Sequence, residues 1–401
     1  MSVNSSERAS RPVRWWFYPL LLGLTALLCL AVAEIAVRLV WSPEHPRRPQ
    51  TYTFNAETGL VSLPGAYQLP FVRCTVEKPD CERVQVKYTI NANGFRGSDW
   101  RNPAGQPLIV VMGDSQIEGQ QVDDDKLATA RLGNLLPAKQ SGAEVRNVAI
   151  HSAGFVHYYQ MWRKFVAPTK PDVLIIAAVG ANDFRNCSTR LETFHAMRPH
   201  YTTGADGQRE AHFEPAPQAN VSRPRRWLST QLDRLELARF LRWRGAVQEE
   251  EARAIGDEEL PPDLQIYENP LAPDYAEAAA LGREYLARLI REAKAQGTSV
   301  IVAALPWRDE ALDENWQRIA AAYAKTGRAA TLERTRPETL IRQITEENEA
   351  KFASFADYLH QLPPDKQRAL WHTKLDLHLT GEGQRLLAEM LALELNRGLH
   401  D

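Results

Sequence analysis

The chain has 401 residues, 44% hydrophobic and 24% charged, with a formal net charge of −2. That length suits one large domain or two ordinary ones with a sizeable core. The near-neutral charge excludes bulk electrostatic attraction to nucleic acid, and no 20–50-residue repeat, Walker-type loop or dinucleotide fingerprint occurs.

The N-terminal stretch "RPVRWWFYPLLLGLTALLCLAVAEIAVRLVW" is uncharged from Trp15 through Ala33. At about 1.5 Å rise per residue, such a helix crosses a hydrocarbon core of about 30 Å. Arg8, Arg11 and Arg14 precede it, which favours a cytoplasmic N-terminus, and Trp15, Trp16 and Tyr18 suit an interfacial belt. Ala31-Val32-Ala33 also reads as a signal-peptidase site. The apolar run exceeds an h-region of about 7–15 residues and continues into helix-compatible Glu34 to Trp41, so an uncleaved anchor is favoured over a cleaved signal. The expectation is a cytoplasmic tail at 1–14, a single-pass transmembrane anchor at 15–40, and the remainder outside the cytoplasm.

Residues 41–55, containing "SPEHPRRPQTYTFN", are rich in proline and charge and read as a linker. Residues 56–105 mix short strand-like pieces such as "ERVQVKYTI" with turns. Cys74 and Cys81 stand close together in "CTVEKPDC", and an oxidising compartment lets them pair; the alternative is two unpaired surface thiols. Cys29 falls in the anchor, and Cys187 reads as a buried free thiol. No second ligand pair has zinc spacing, and neither metal nor cofactor is expected.

From Pro107 the pattern changes. "PLIVVM" (107–112), "VRNVAI" (145–150), "DVLIIAAV" (172–179) and "SVIVAAL" (299–305) are short β-rich apolar runs, suited to strands buried on both faces. Helical stretches at about 125–137, 156–167 and 274–296 separate them. In the last, Leu281, Tyr285, Leu286, Leu289 and Ile290 form an apolar stripe that Gly297 ends. The alternation predicts an α/β fold, a three-layer doubly wound parallel sheet. Residues of about 186–272 are hydrophilic and proline-punctuated and read as a helical insertion. Within it Leu228, Leu232, Leu235, Ala238 and Leu241 make a helical stripe amid Arg225, Arg226, Arg234, Arg239, Arg242 and Arg244. Packing on the domain with a solvated basic face is favoured over lying on a membrane or an anionic polymer. "QEEEARAIGDEELPPD" (248–263) reads as a solvated loop or flap.

Ligands of open parallel sheets bind beyond the carboxyl ends of the strands. Gly113-Asp114-Ser115 follows the first strand, "NVAIHSAG" (147–154) spans the end of the second, and Gly180-Ala181-Asn182-Asp183 follows the third. Near the C-terminus, Asp376 and His378 precede a helix-like stretch. Each alone is an ordinary turn, cap or structural residue. In this order the chain resembles the SGNH/GDSL hydrolase superfamily, over about residues 88–395. "YTINANGFRGSDW" (88–100) further resembles the lead-in of membrane-anchored bacterial members. The resemblance implies a flavodoxin-like SGNH domain over 56–401, anchored in a bacterial inner membrane and facing the periplasm. There are three departures. Gln116 stands where the family nickname has leucine, with little consequence expected. Ser152 stands where relatives usually have glycine. Asp376 precedes the histidine by two residues rather than three.

The resemblance assigns Ser115 as nucleophile, His378 as its base and Asp376 as the group that orients the imidazole. The backbone N–H of Ser115, a backbone N–H at Ser152 or Gly154, and the Asn182 amide would form the oxyanion hole. Asp114 and Asp183 are expected to fix turns; His151 and His157, near the end of the second strand, could contact substrate, but a structural role is favoured for both. The leading function is an extracytoplasmic serine esterase removing O-acyl, chiefly O-acetyl, groups from an envelope glycan or related small ester. An O-acyltransferase using a membrane acyl-donor or polysaccharide-export partner is the alternative. A catalytically inactive glycan-binding assembly subunit is a third.

Overall fold

The computed structural model describes residues 15, 17–42, 47–101, 105–136, 142–204, 207–215, 231–255, 262–373 and 376–397. The chain divides into two compact units, one formed by 1–47 with 219–257 and the other by 48–218 with 258–401. The tail at 1–14, along with Arg225, Arg226 and Leu228, lies outside the described residues.

In the first unit, α1 (Phe17–Val40) is one 24-residue helix with no buried residue. It is long and apolar enough to cross a membrane. The insertion helix runs from Glu236 to Ile255 and packs on the end of α1. The Glu34 carboxylate accepts the N–H groups of Glu236 and Leu237 at 3.0 and 2.8 Å. These are orphan donors of a first turn, so a carboxylate from α1 caps this helix. Trp41 meets the Phe240 ring edge-on at 5.5 Å, and Arg239 lies 4.6 Å from the Trp41 ring centre. The helix also overruns the expected loop at 248–263, because "EEEARAI" is good helix-forming sequence; 256–261 lie outside the described residues.

The second unit opens with two hairpins. Strands β1 (Tyr52–Asn55) and β2 (Gly59–Ser62) pair with each other, so the expected linker is already folded at Tyr52. Strands β3 (Gly65–Arg73) and β4 (Glu82–Ile90) pair along their whole length, Gly65 opposite Ile90 and Arg73 opposite Glu82. The Cys74–Cys81 disulfide closes their far end.

The sheet follows. Its first strand, β5 (Leu108–Gly113), leads into the one-turn helix α2 (Ser115–Glu118), followed by α3 (Ala128–Leu135). Next come β6 (Glu144–Ala149), α4 (Phe155–Met161), β7 (Val173–Ala178) and the short α5 (Gly180–Asp183). A hairpin of β8 (Pro199–Thr203) and β9 (Arg209–Phe213) opens the expected insertion. Met197 and Phe213 enter the main core there, so this part belongs to the domain body. Helix α6 (Pro273–Ala295), β10 (Ser299–Ala304), α7 (Arg336–Glu347), β11 (Lys351–Ser354) and α8 (Gly381–Arg397) complete the fold.

The strand order is β11-β10-β7-β5-β6, every neighbour parallel. Side chains alternate between faces as a pleat requires. Val110, Met112, Leu174 and Ile176 join the layer holding α4 and α6. Ile109, Val111, Ile175 and Ala177 join the layer holding α3 and α8. Both faces are covered, which gives the three layers expected. From the first strand the chain goes outward to β6, then back across to β7, so the crossover direction reverses between β5 and β7. Such a switch point opens a crevice beyond the strand ends. Ser115 and Asn182 follow those two strands.

Candidate active site

Gly113 ends β5 because a Cβ there would fall 2.4 Å from Ile117 Cγ1 and 3.2 Å from the Ala177 carbonyl oxygen. The chain then turns through Asp114, whose Oδ1 accepts the Gln116 N–H at 2.9 Å and caps α2. Asp114 is thus the cap, and Ser115 is the first helical residue. His378 Nε2 lies 2.7 Å from Ser115 Oγ, and His378 Nδ1 lies 2.6 Å from Asp376 Oδ1. The same carboxylate oxygen accepts the His378 backbone N–H at 2.7 Å. The two-residue spacing therefore works through a tight loop, in which Asp376 folds back on both the main chain and the ring of His378.

Charge follows this geometry. Burial pushes the His378 pKa down, but the bond to Asp376 and its charge outweigh this, and the imidazole is held above its ordinary value. Burial pushes Asp376 up, yet the His378 contacts hold it below the ordinary carboxylate range. The ionised form of Asp376 is thus favoured, and a carboxylate on Nδ1 favours the Nδ1–H tautomer, in which Nε2 faces Ser115 Oγ with a lone pair.

Asn182 Nδ2 donates to Asp114 Oδ2 at 2.9 Å. That bond orients the amide and uses one of its two hydrogens, so the second remains for the cleft that Asn182 lines with Ser115. Asp183 holds the turn from behind, accepting the Val179 N–H at 2.9 Å and the Tyr158 hydroxyl at 3.0 Å. Burial and the Asp114 charge push its pKa well above the ordinary range.

On the loop after β6 the two oxyanion candidates part. Ser152 lines the cleft with a left-handed φ of 58°, a conformation glycine adopts freely and serine only at some cost. Asn186 fixes the loop by donating to the Ser152 and Ala153 carbonyls at 3.1 and 3.0 Å. Gly154 is different. Its N–H donates to His157 Nδ1 at 3.0 Å, and a Cβ there would fall 2.4 Å from the Asp183 carbonyl oxygen. Gly154 serves close packing, and its N–H is committed elsewhere. His157 is wholly buried between that N–H and the Met197 carbonyl, its pKa lowered to about 4 by burial. It is structural, as expected; His151 lines the cleft.

Three parts of the site escape sequence reading. Gln116 is buried, and its Oε1 accepts the Leu379 N–H at 3.1 Å while its Nε2 faces the Leu377 carbonyl at 3.5 Å. It therefore ties the serine helix to the histidine loop. Glu118, wholly buried one turn after Ser115, accepts the Tyr52 and Tyr88 hydroxyls and the His151 N–H, the last at 2.9 Å. Burial pushes Glu118 up, but contacts from His151, Tyr52 and Tyr88 hold it below the ordinary range. Arg96, from "NGFRG", is buried against Tyr88 and donates to the Glu118, Gly119, Lys87 and Val122 carbonyls and to Asp124. A cation on carbonyls at the end of α2 favours the local dipole. Only the motif's resemblance to a family lead-in marked Arg96 in advance.

The cleft in front of Ser115 is about 520 Å³ and open, and its mixed lining includes Gln50, Gln120, Gln121 and Arg185 beside Pro49, Tyr52 and Leu69. No protein-family model and no curated protein matches the chain. Solved structures similar to it include the psychrotrophic esterase EstA from Pseudoalteromonas sp., at 11% identity and TM-score 0.38, covering 74% of this chain and 100% of that one. The acetyl xylan esterase AlAXEase is similar at 10% identity and TM-score 0.39, covering 72% and 99%. A catalytic mutant of Axe2, an acetylxylan esterase from Geobacillus stearothermophilus, is similar at 14% identity and TM-score 0.39, covering 74% and 96%.

Proposed function

We propose that the protein is a membrane-anchored serine esterase of the SGNH type. It acts outside the cytoplasm and removes short O-acyl groups, chiefly O-acetyl, from a hydroxyl-rich carbohydrate of the cell envelope. The observation that carries this reading is the Ser115–His378–Asp376 arrangement, with Oγ and Nε2 at 2.7 Å, on an open cleft at a sheet switch point. Serine needs a base within such reach to act as a nucleophile. His378 takes the Ser115 proton as Oγ bonds to the carbonyl carbon, and the carbonyl oxygen becomes an oxyanion. The second Asn182 hydrogen and the backbone N–H groups of Ser115 and Ser152 stabilise that charge. Collapse expels the sugar alkoxide, which receives the proton from His378. Water then enters by the same base and releases acetate from the acyl-serine. Hydrogen-bonding side chains on the lining, Arg48, Gln50 and Arg185 among them, support a hydroxylated substrate. The apolar α1 and the arginines ahead of it support the anchor and its direction.

The test incubates the purified protein with acetylated xylo-oligosaccharide and measures acetate release, with and without an unacetylated acceptor. Free acetate in both cases supports the esterase. Acetyl appearing on the acceptor supports the transferase, and neither product overturns both.

A further inference from the structure

Glu118 and His151 form a second carboxylate–histidine pair on the cleft that holds the first. His151 Nδ1 lies 3.6 Å from Glu118 Oε2, and the same oxygen accepts the His151 backbone N–H at 2.9 Å. The carboxylate is buried 1% exposed, whereas the His151 side chain is 23% exposed and lines the cleft with Ser115 and Ser152. Nδ1 is buried and makes no hydrogen bond among the described residues, Glu118 lying just beyond that reach, so the exposed edge of the ring is the one away from Glu118. The ring is fixed in place: Tyr52 meets it edge-on at 4.2 Å and Phe194 stacks on it at 5.7 Å.

These contacts assign a role. A carboxylate facing Nδ1 favours the Nδ1–H tautomer, as second partners of a histidine generally set which nitrogen carries the proton. Nε2 then presents a lone pair at the exposed edge. The surrounding cleft wall adds the donors of Arg48 and Arg185, while the Gln120 and Gln121 amides already donate to Tyr52, Glu118 and Asp376. An acceptor held rigidly among donors complements a hydroxyl, which offers one hydrogen and two lone pairs. His151 forms no link of the Ser115–His378–Asp376 relay, so its nitrogen is free for a part of the substrate other than the scissile ester. A histidine serving packing alone would not need a buried carboxylate assembled from two tyrosines and a strand-end N–H.

We propose that His151 is a specificity-determining residue whose ring, set beside the Glu118 carboxylate between Tyr52 and Phe194, accepts a hydrogen bond from a free hydroxyl of a sugar substrate beside the ester being cleaved. The inference rests on the esterase reading and deepens it, because it makes the substrate a partly acylated carbohydrate rather than any small ester. Sites built around a substrate hydroxyl discriminate against analogues that lack it, since the buried polar partner is left unpaired.

The experiment compares two esters on the full-length protein, acetylated xylobiose with free hydroxyls and p-nitrophenyl acetate with none. In His151→Phe, which keeps a ring between Tyr52 and Phe194, the ratio of kcat/KM on the sugar ester to that on the aryl ester falls about tenfold, chiefly through KM. His151→Gln, which retains an acceptor, loses less, and thermal melting of both variants checks folding. A ratio unchanged in both folded variants overturns the proposal and makes His151 a support for the Ser152 loop. Wild-type hydrolysis of the aryl ester with none of the sugar ester also overturns it and leaves the serine esterase standing. Failure of the wild type on both esters overturns the esterase reading itself.

Discussion

Gln116 and Leu379, 263 positions apart in the chain, are hydrogen-bonded: Gln116 Oε1 accepts the Leu379 N–H at 3.1 Å. Gln384 adds a second tie from α8, donating to the Gln116 carbonyl at 2.6 Å. The residue after the serine and the residue after the histidine are thus held in register. The distance between Oγ and Nε2 follows from this bond as much as from the triad itself.

Gln116→Leu, which restores the residue of the family nickname, should therefore weaken the site. The Leu379 N–H is left buried without its partner, at a cost of about 1–3 kcal/mol. The expected result is a fall in kcat of about tenfold with KM little changed, because the histidine is no longer held at its working distance. Steady-state kinetics on an acetyl ester, with denaturant unfolding beside them, separates this from a general loss of stability.

The pH profile carries a defined sign. Catalysis needs neutral His378, and Asp376 holds its pKa above the ordinary imidazole value. The acid limb of kcat/KM should therefore have its midpoint above about 6.5. Activity falls about tenfold per pH unit below that midpoint and rises as His378 loses its proton. Asp376→Asn removes the charge that favours imidazolium, so the limb should move to lower pH while the maximum rate falls. A limb that stays in place in Asp376→Asn would detach Asp376 from His378.

Arg96 should be a stability residue with catalytic consequences. Its side chain is fully buried, paired with Asp124 at 3.0 Å, and joins β4 to the end of α2. Arg96→Met removes the donor to several carbonyls and the cation beside Asp124, which keeps the Thr89 N–H. Breaking a buried pair from one side typically costs about 3–5 kcal/mol. Urea unfolding should show a loss of that order, and Arg96→Lys should recover only part of it because an ammonium cannot reach the same set of acceptors.

How far the sequence discloses this molecule depends on what each residue is asked to do. The four strands buried on both faces are legible because "LIVV" or "LIIAA" cannot be placed at a surface. The edge strand β11 is not, since "KFAS" pairs on one side with β10 and carries little apolar signal. Ser115, Asn182 and His378 stand out because polar residues interrupt apolar runs at strand ends. Gln116 and Glu118 do not, because a polar residue on a short helix looks solvated until its partners arrive from other parts of the chain. The same holds for the insertion helix: its stripe is visible in sequence, but nothing local says that Glu34 of α1 caps it. Ser152 and Gly154 could not be separated either, because only the fold shows the Gly154 N–H bonded to His157.

The central claim is that Ser115 is a nucleophile activated by His378, and covalent labelling with a fluorophosphonate probe tests it most directly. The wild type should be labelled at Ser115, identified by peptide mass spectrometry. Ser115→Ala should abolish labelling, and His378→Ala should slow it at least a thousandfold or so, since the hydroxyl then lacks its base. Labelling that persists in folded Ser115→Ala, or proceeds at the wild-type rate in His378→Ala, would contradict the account.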